Sequence, residues 1–149
     1  MVPVLLSYKM DALSNKWILD KAASDDIAPF LKEMGAPWLI VKAAASATPQ
    51  LRLALTAASL EVKTYALLST LKNEYFFSSE STHKAMDGSV SPARASLGPG
   101  CVRVSISHAR GEIAQTFELL PSGEMLMTIV LSRGGAEVLR LRRVHKKVA

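Results

Sequence analysis

The stretch Phe30-Leu31-Lys32-Glu33-Met34-Gly35-Ala36-Pro37-Trp38 constrains this chain more than any other. It ends one short amphipathic helix, turns at a glycine and starts a second. Asp25 or Asp26 supplies a cap for the first helix, and Pro29 falls in its first turn, where a missing N–H does no harm; Gly35 closes it. Ile27, Phe30, Leu31 and Met34 then follow the i, i+3, i+4, i+7 spacing of a single apolar face. The second helix is predicted from about Pro37 to Ala45, with Pro37 suited to its first position. It is apolar nearly all round except at Lys42, so it is expected to be covered or to touch lipid.

Around this helix pair the period is two. Lys16 to Lys21 reads as a first strand, with Trp17 and Leu19 on one face. Beyond Pro49, Leu51, Leu53 and Leu55 alternate with Arg52, Ala54 and Thr56, and Leu60, Val62 and Thr64 alternate with Glu61, Lys63 and Tyr65. Thr70 to Phe77 is the next strand, followed by a polar stretch running to the hairpin pair Asp87-Gly88. Val90 to Leu97 is strand-like, with Pro92 confining it to an edge, a bulge or an irregular segment. Strands over Val102–Ile106, Ile113–Leu119, Met125–Leu131 and Val138–His145 follow, the last three separated by Pro121-Ser122-Gly123 and Gly134-Gly135. Regular short strands with turn signals argue for a sandwich or a closed barrel. A helix pair set after the first strand reads as a lid on such a barrel.

Composition bounds the alternatives. The 149 residues suffice for one domain with a real core. Hydrophobic residues make up 49% of the chain, yet no apolar run approaches the roughly 18 residues of a membrane-spanning helix. The surplus is therefore expected inside, packed or lining a cavity. Val2-Pro3-Val4-Leu5-Leu6 is too short for a signal-peptide core, and the single Cys101 makes no internal disulfide, so a cytoplasmic location is expected. A net charge of +5 favours anionic partners without choosing among them. Aromatic residues are only 6% of the chain, too few for a stacking platform, so no nucleic-acid role is expected. His83, His108 and His145 have no metal-ligand spacing, and no nucleophile elbow, phosphate loop or dinucleotide fingerprint occurs. No metal, no cofactor and no enzymatic activity are expected.

Several segments in order resemble the intracellular lipid-binding proteins, the group of fatty-acid-binding and cellular retinoid-binding proteins. They are Lys16-Trp17-Ile18-Leu19, Phe30 to Ala36, Val41-Lys42-Ala43-Ala44-Ala45, Val62-Lys63-Thr64, Met86-Asp87-Gly88, Thr116-Phe117-Glu118-Leu119 and Arg143-Val144-His145. The likeness runs from about Met10 to Val148. It implies a ten-stranded antiparallel up-and-down β-barrel (lipocalin/calycin-like) with a two-helix lid and an internal water-filled cavity. Met10-Asp11-Ala12-Leu13 sits where such proteins begin, so residues 1–9 are expected to be an N-terminal extension and residues 10–149 the single barrel domain.

The resemblance also implies a site. In that family an Arg-x-Tyr pair on the last strand, with an Arg or Gln two strands earlier, holds a buried carboxylate. Alternation puts Leu139, Leu141, Arg143 and His145 on one face, so Arg143-Val144-His145 stands where Arg-x-Tyr is expected. The competing reading is a solvated basic strand, or a shifted register that turns Arg140 and Arg142 inward. For the second anchor one alignment puts Phe117 in the cation's place and a gap-free one puts Glu118 there; Gln115, on the face of Phe117, is either a substitute donor or a plain strand residue. Lys32 and Lys42 lie where the family uses bases to meet anionic membranes, and Trp38 is a portal, membrane or lid-packing residue. The resulting expectation is a monomeric carrier of a long-chain fatty acid or similar hydrophobic ligand, exchanged through the helical portal. The alternative is a barrel-fold module that docks through its basic face to an anionic membrane or acidic partner.

Overall fold

A computed structural model describes residues 11–66 and 70–149. The expected extension over residues 1–9, and a start at Met10, lie outside them. The elements are β1 (Lys16–Leu19), a 3₁₀ turn (Lys21–Ala23), α1 (Ala28–Glu33), α2 (Trp38–Ser46), β2 (Gln50–Leu55), β3 (Ser59–Tyr65), β4 (Thr70–Phe76), β5 (Ser81–Lys84), β6 (Val90–Gly98), β7 (Cys101–His108), β8 (Gly111–Leu119), β9 (Met125–Arg133) and β10 (Ala136–Lys147). The strands form one ten-stranded antiparallel sheet in the order β4-β3-β2-β1-β10-β9-β8-β7-β6-β5. Apart from the closure of β1 on β10, every ladder joins neighbours in sequence, as an up-and-down barrel requires. Inward residues alternate with outward ones and form one contiguous apolar cluster that includes Trp17, Leu53, Val104, Ile106, Phe117 and Leu131. Trp17 donates its indole N–H to the Leu13 carbonyl at 3.0 Å, which satisfies the only polar atom of a fully buried side chain.

The helix punctuation works as read, with small differences. Asp26 accepts the Ala28 N–H at 2.9 Å from just outside α1, so the carboxylate serves the first turn although Ile27 occupies the cap position. Pro37 caps α2 rather than starting it. Gly35 has φ +75°, a backbone conformation that favours glycine, and the exposed Arg110 guanidinium lies over it where a Cβ would push it aside. Ile27, Phe30 and Met34 pack on the barrel core, and the lid is tied down at its far end. There Arg133 donates from Nη1 to the Glu33 carboxylate at 2.8 Å and from Nη2 to the Glu33 carbonyl, while its Nε reaches the Arg110 carbonyl.

Three expectations change. The first strand stops at Leu19, because Asp20 accepts the Ala23 N–H and turns the chain into the 3₁₀ segment. The polar stretch before Asp87-Gly88 contains β5, whose residues Ser81-Thr82-His83-Lys84 carry no apolar alternation. Pro92 lies on β6, which is not an edge strand; it pairs with Thr82 of β5 and precedes the ladder to β7, which begins at Ala93–Ile106.

Candidate functional site

The last three strands of the closed wall place the sequence-derived residues by register alone. Arg143 on β10 lies opposite Met127 on β9, Met127 opposite Phe117 on β8, and Phe117 opposite Val102 on β7. Directly opposed residues share a face, so this row of four points inward. A second row runs Leu19–His145–Met125–Leu119, and a third Leu141–Ile129–Gln115–Val104. Arg143 is 6% exposed, His145 and Phe117 are each 1% exposed, and Gln115 is half-buried. Arg140 and Arg142 are exposed on the opposite face. The shifted-register reading is thus excluded. Glu118 pairs with Leu126 and Cys101 in an outward row, so Phe117, two strands from Arg143, occupies the place of a second inward group.

The two polar residues of the wall differ in how they are satisfied. Arg143 donates from Nη1 to the Asp25 carbonyl at 2.9 Å. Burial pushes its guanidinium down from its usual value, while the Asp26 and Asp25 carboxylates act in the opposite direction. The loop that brings those carboxylates is pinned to β10: the Arg142 N–H donates to the Asp25 carboxylate at 2.8 Å, the Val144 N–H to the Ser24 hydroxyl, and the Asp25 N–H to the Arg142 carbonyl. This loop, the base of the lid and Arg143 enclose a concavity of about 240 Å³, lined also by Lys21, Ile27 and Ala45. His145 has no such support. Burial, then the neighbouring Arg143 charge, pushes its pKa down to about 4, and among the described residues its Nδ1 has no hydrogen-bond partner.

The lid presents a different surface. Among the buried residues α2 contributes Val41, whereas Trp38 is 67% and Leu39 70% exposed. Lid packing of Trp38 is therefore excluded, and the helix is less covered than its apolar sequence predicts. The Lys42 ammonium sits 5.0 Å from the centre of the Trp38 ring, and Lys32 is exposed on α1. None of the described helices is long and apolar enough to cross a membrane.

Comparison with solved structures decides the architecture. A Schistosoma mansoni fatty acid binding protein in complex with arachidonic acid superimposes with a TM-score of 0.80 at 15% identity, over 95% of this chain and 99% of that one. The chain has the intracellular lipid-binding protein fold. Caenorhabditis elegans lipid binding protein 8, in its apo form, gives 0.80 at 20% identity over 93% of this chain and 97% of that one. Zebrafish ileal bile acid-binding protein complexed with cholic acid gives 0.70 at 20%, over 92% and 99%. No protein-family model matches the sequence, and a search of curated proteins finds no match. Within the lipid-binding protein fold, sequence reasoning placed the inward face of β10 but missed the contact between Arg143 and Asp25, 118 residues away. The doubled aspartate before the lid was read only as a helix cap.

Proposed function

We propose that this chain is a non-catalytic, monomeric carrier that holds a hydrophobic small molecule in its barrel and exchanges it through the two-helix lid. The observation that carries the reading is the inward pair Arg143 and His145, polar and buried, set in a largely apolar wall beneath a lid. Such a pair orients the head of a long-chain lipid of the fatty-acid kind, and the apolar rows that include Phe117 receive its tail at roughly 0.8 kcal/mol per buried methylene. Gln115, half-buried in the next inward row, is a further donor to that head. The solved proteins with fatty acid and bile acid ligands support a hydrophobic ligand for the same barrel.

Exchange occurs at membranes of the cytoplasm. Trp38 and Leu39 project from α2 with Lys42 beside them, an apolar tip flanked by a base, and each base near an anionic bilayer adds on the order of 1 kcal/mol. Lys32 extends that basic edge onto α1. The test is native mass spectrometry of the purified protein, followed by displacement of a neutral fluorescent probe with a series of fatty acids. A co-purified acyl chain, and affinity that rises with chain length, support the carrier. An empty barrel that binds anionic liposomes only at low salt instead supports a docking module acting through its basic face.

A further inference from the structure

We infer that the outward row Lys16–Arg52–Lys63–Lys72, which crosses β1 to β4, docks an acidic segment of a partner protein. The inference concerns the outer wall of the barrel and stands apart from the carrier reading.

Register builds the row. Lys16 on β1 lies directly opposite Arg52 on β2, Arg52 opposite Lys63 on β3, and Lys63 opposite Lys72 on β4. Their sequence neighbours Trp17, Leu51, Val62 and Asn73 are buried, so the four cations point away from the core. Lys16, Arg52 and Lys72 are exposed and Lys63 is half-buried. Neighbouring strands lie about 4.8 Å apart, so three rungs set four cations within roughly 14 Å. The net charge of the chain does not account for this, because cations on the rest of the outer wall face neutral residues. Arg94 faces Ser105, Arg103 faces Ser96 and Thr116, Arg140 faces Val130, and Arg142 faces Thr128.

Like charges directly opposed destabilise a sheet. Little in the chain relieves them here. The Lys72 ammonium lies 3.6 Å from the Glu61 carboxylate, and that of Lys16 sits 5.4 Å from the centre of the Tyr65 ring. Among the described residues Arg52 and Lys63 have no ion pair. The adjoining row opposes Glu61 to Glu74, and the row on the other side, Ile18–Gln50–Tyr65–Thr70, holds no acid. Four bases against two acids leave the patch positive. An anionic partner removes the repulsion that the free sheet carries, so its binding gains what the sheet loses.

The surroundings choose a peptide. Neither adjoining row holds any of the exposed large apolar residues, so the patch has no anchor to insert into a bilayer. A closed barrel is convex across its strands, so a flat membrane meets the middle of the row before its ends, whereas a peptide follows the curve. Tyr65 is the one aromatic beside the row and is already covered by Lys16, so there is no platform for stacked bases.

The test uses the full chain with fluorescein-labelled octaglutamate, read by anisotropy at low salt. Binding is expected, and it should weaken as salt rises; no binding overturns the inference. The pair Arg52→Gln and Lys63→Gln is expected to weaken octaglutamate about tenfold. The pair Arg94→Gln and Arg103→Gln removes the same charge from another face and should leave affinity within about twofold; an equal loss there overturns the assignment to the row. Binding of phosphatidylserine vesicles that is lost in the Arg52/Lys63 variant, without octaglutamate binding, overturns the peptide and gives the row to a membrane. A concentration-dependent dimer lost in that variant likewise overturns it in favour of a second copy of the chain. Lys63→Glu is expected to raise Tm by a few degrees while weakening octaglutamate, and a lower Tm in the folded variant overturns the repulsion. Should the variants fail to fold, amide resonances of the unaltered protein provide the readout. Octaglutamate is expected to shift those of Arg52, Lys63 and Lys72, and shifts confined to other strands overturn the site.

Discussion

The barrel is closed in two different ways. From β8 through β10 to β1 the wall is a continuous backbone ladder, with rungs from Glu112–Ser132 to Trp17–Lys147. Between β4 and β5, at the ends of the strand order, side chains replace the backbone rungs. Asn73 donates its amide to the Lys84 carbonyl at 3.0 Å and accepts the Lys84 N–H at 2.8 Å, copying one strand rung with a side chain. The Ser81 hydroxyl accepts the Phe76 N–H at 2.9 Å, and the Tyr75 hydroxyl lies 2.7 Å from His83 Nδ1. A ladder spreads its cohesion over many equivalent backbone bonds, whereas a stitched seam depends on a few side chains. The wall is thus robust at each point, and the seam is open to single substitutions and to pH.

That contrast can be broken from the wall side first. Phe117→Ala removes a fully buried ring and is expected to cost about 3–5 kcal/mol in urea unfolding, with all strands losing protection together. A loss confined to one strand would show that the wall is not a single cooperative unit.

Acid should act on the seam. Burial, then the nearby His108 charge, holds the His83 pKa at about 4, below the ordinary value of 6.5. A histidine depressed in the folded state contributes stability that is whole above pH 6.5 and is lost as pH falls towards 4, because the unfolded chain takes up the proton first. The protonated ring also donates from Nδ1, so it can be answered only if the Tyr75 hydroxyl turns its hydrogen away; burial keeps that phenol protonated by pushing its pKa up. His83 by itself is expected to account for a loss of about 3 kcal/mol over that window. His145 shares the window, so His83→Gln should flatten only part of the curve, and that part should coincide with protection lost in β5. A curve unaltered by His83→Gln would assign the whole effect elsewhere.

Asn73→Ala leaves the Lys84 N–H and carbonyl without partners and is expected to cost about 1–3 kcal/mol. Hydrogen exchange should rise in β4 and β5 and stay unchanged in β8–β10. Uniform acceleration would erase the distinction between seam and wall. The smallest effect belongs to the lid latch. Arg133→Ala removes a half-exposed ion pair with Glu33 and should change stability by about 1 kcal/mol or less. It should nevertheless speed ligand exchange measurably by stopped flow, and an unchanged rate would show that the lid opens elsewhere.

The legible parts of the molecule are those encoded within a few residues. Asp26, Pro29 and Gly35 punctuate the lid locally, and the apolar alternation from Leu51 to Leu141 marks strands and their faces. The same alternation turns Arg143, His145 and Phe117 inward, because a period of two leaves no other side for them once Leu141 is buried. β5 was hidden because Ser81-Thr82-His83-Lys84 has no apolar face; its strand state comes from pairing with β6 and from the stitches to β4. Trp38 was ambiguous for a related reason, since an apolar helix does not say which of its sides a barrel will cover.

By itself, then, the sequence determined that short amphipathic strands surround a glycine-hinged helix pair, and which face of the last strand carries a cation and an imidazole. Only the tertiary structure decided what that cation meets. Asp25 reaches Arg143 because β10 closes on β1 and the loop after β1 is laid along β10, a contact across 118 residues that no local period encodes. Register decided the rest: it put Phe117 in the row of Arg143 and left Nδ1 of His145 buried with no hydrogen-bond partner among the described residues, and long-range strand pairing is the only source of that information.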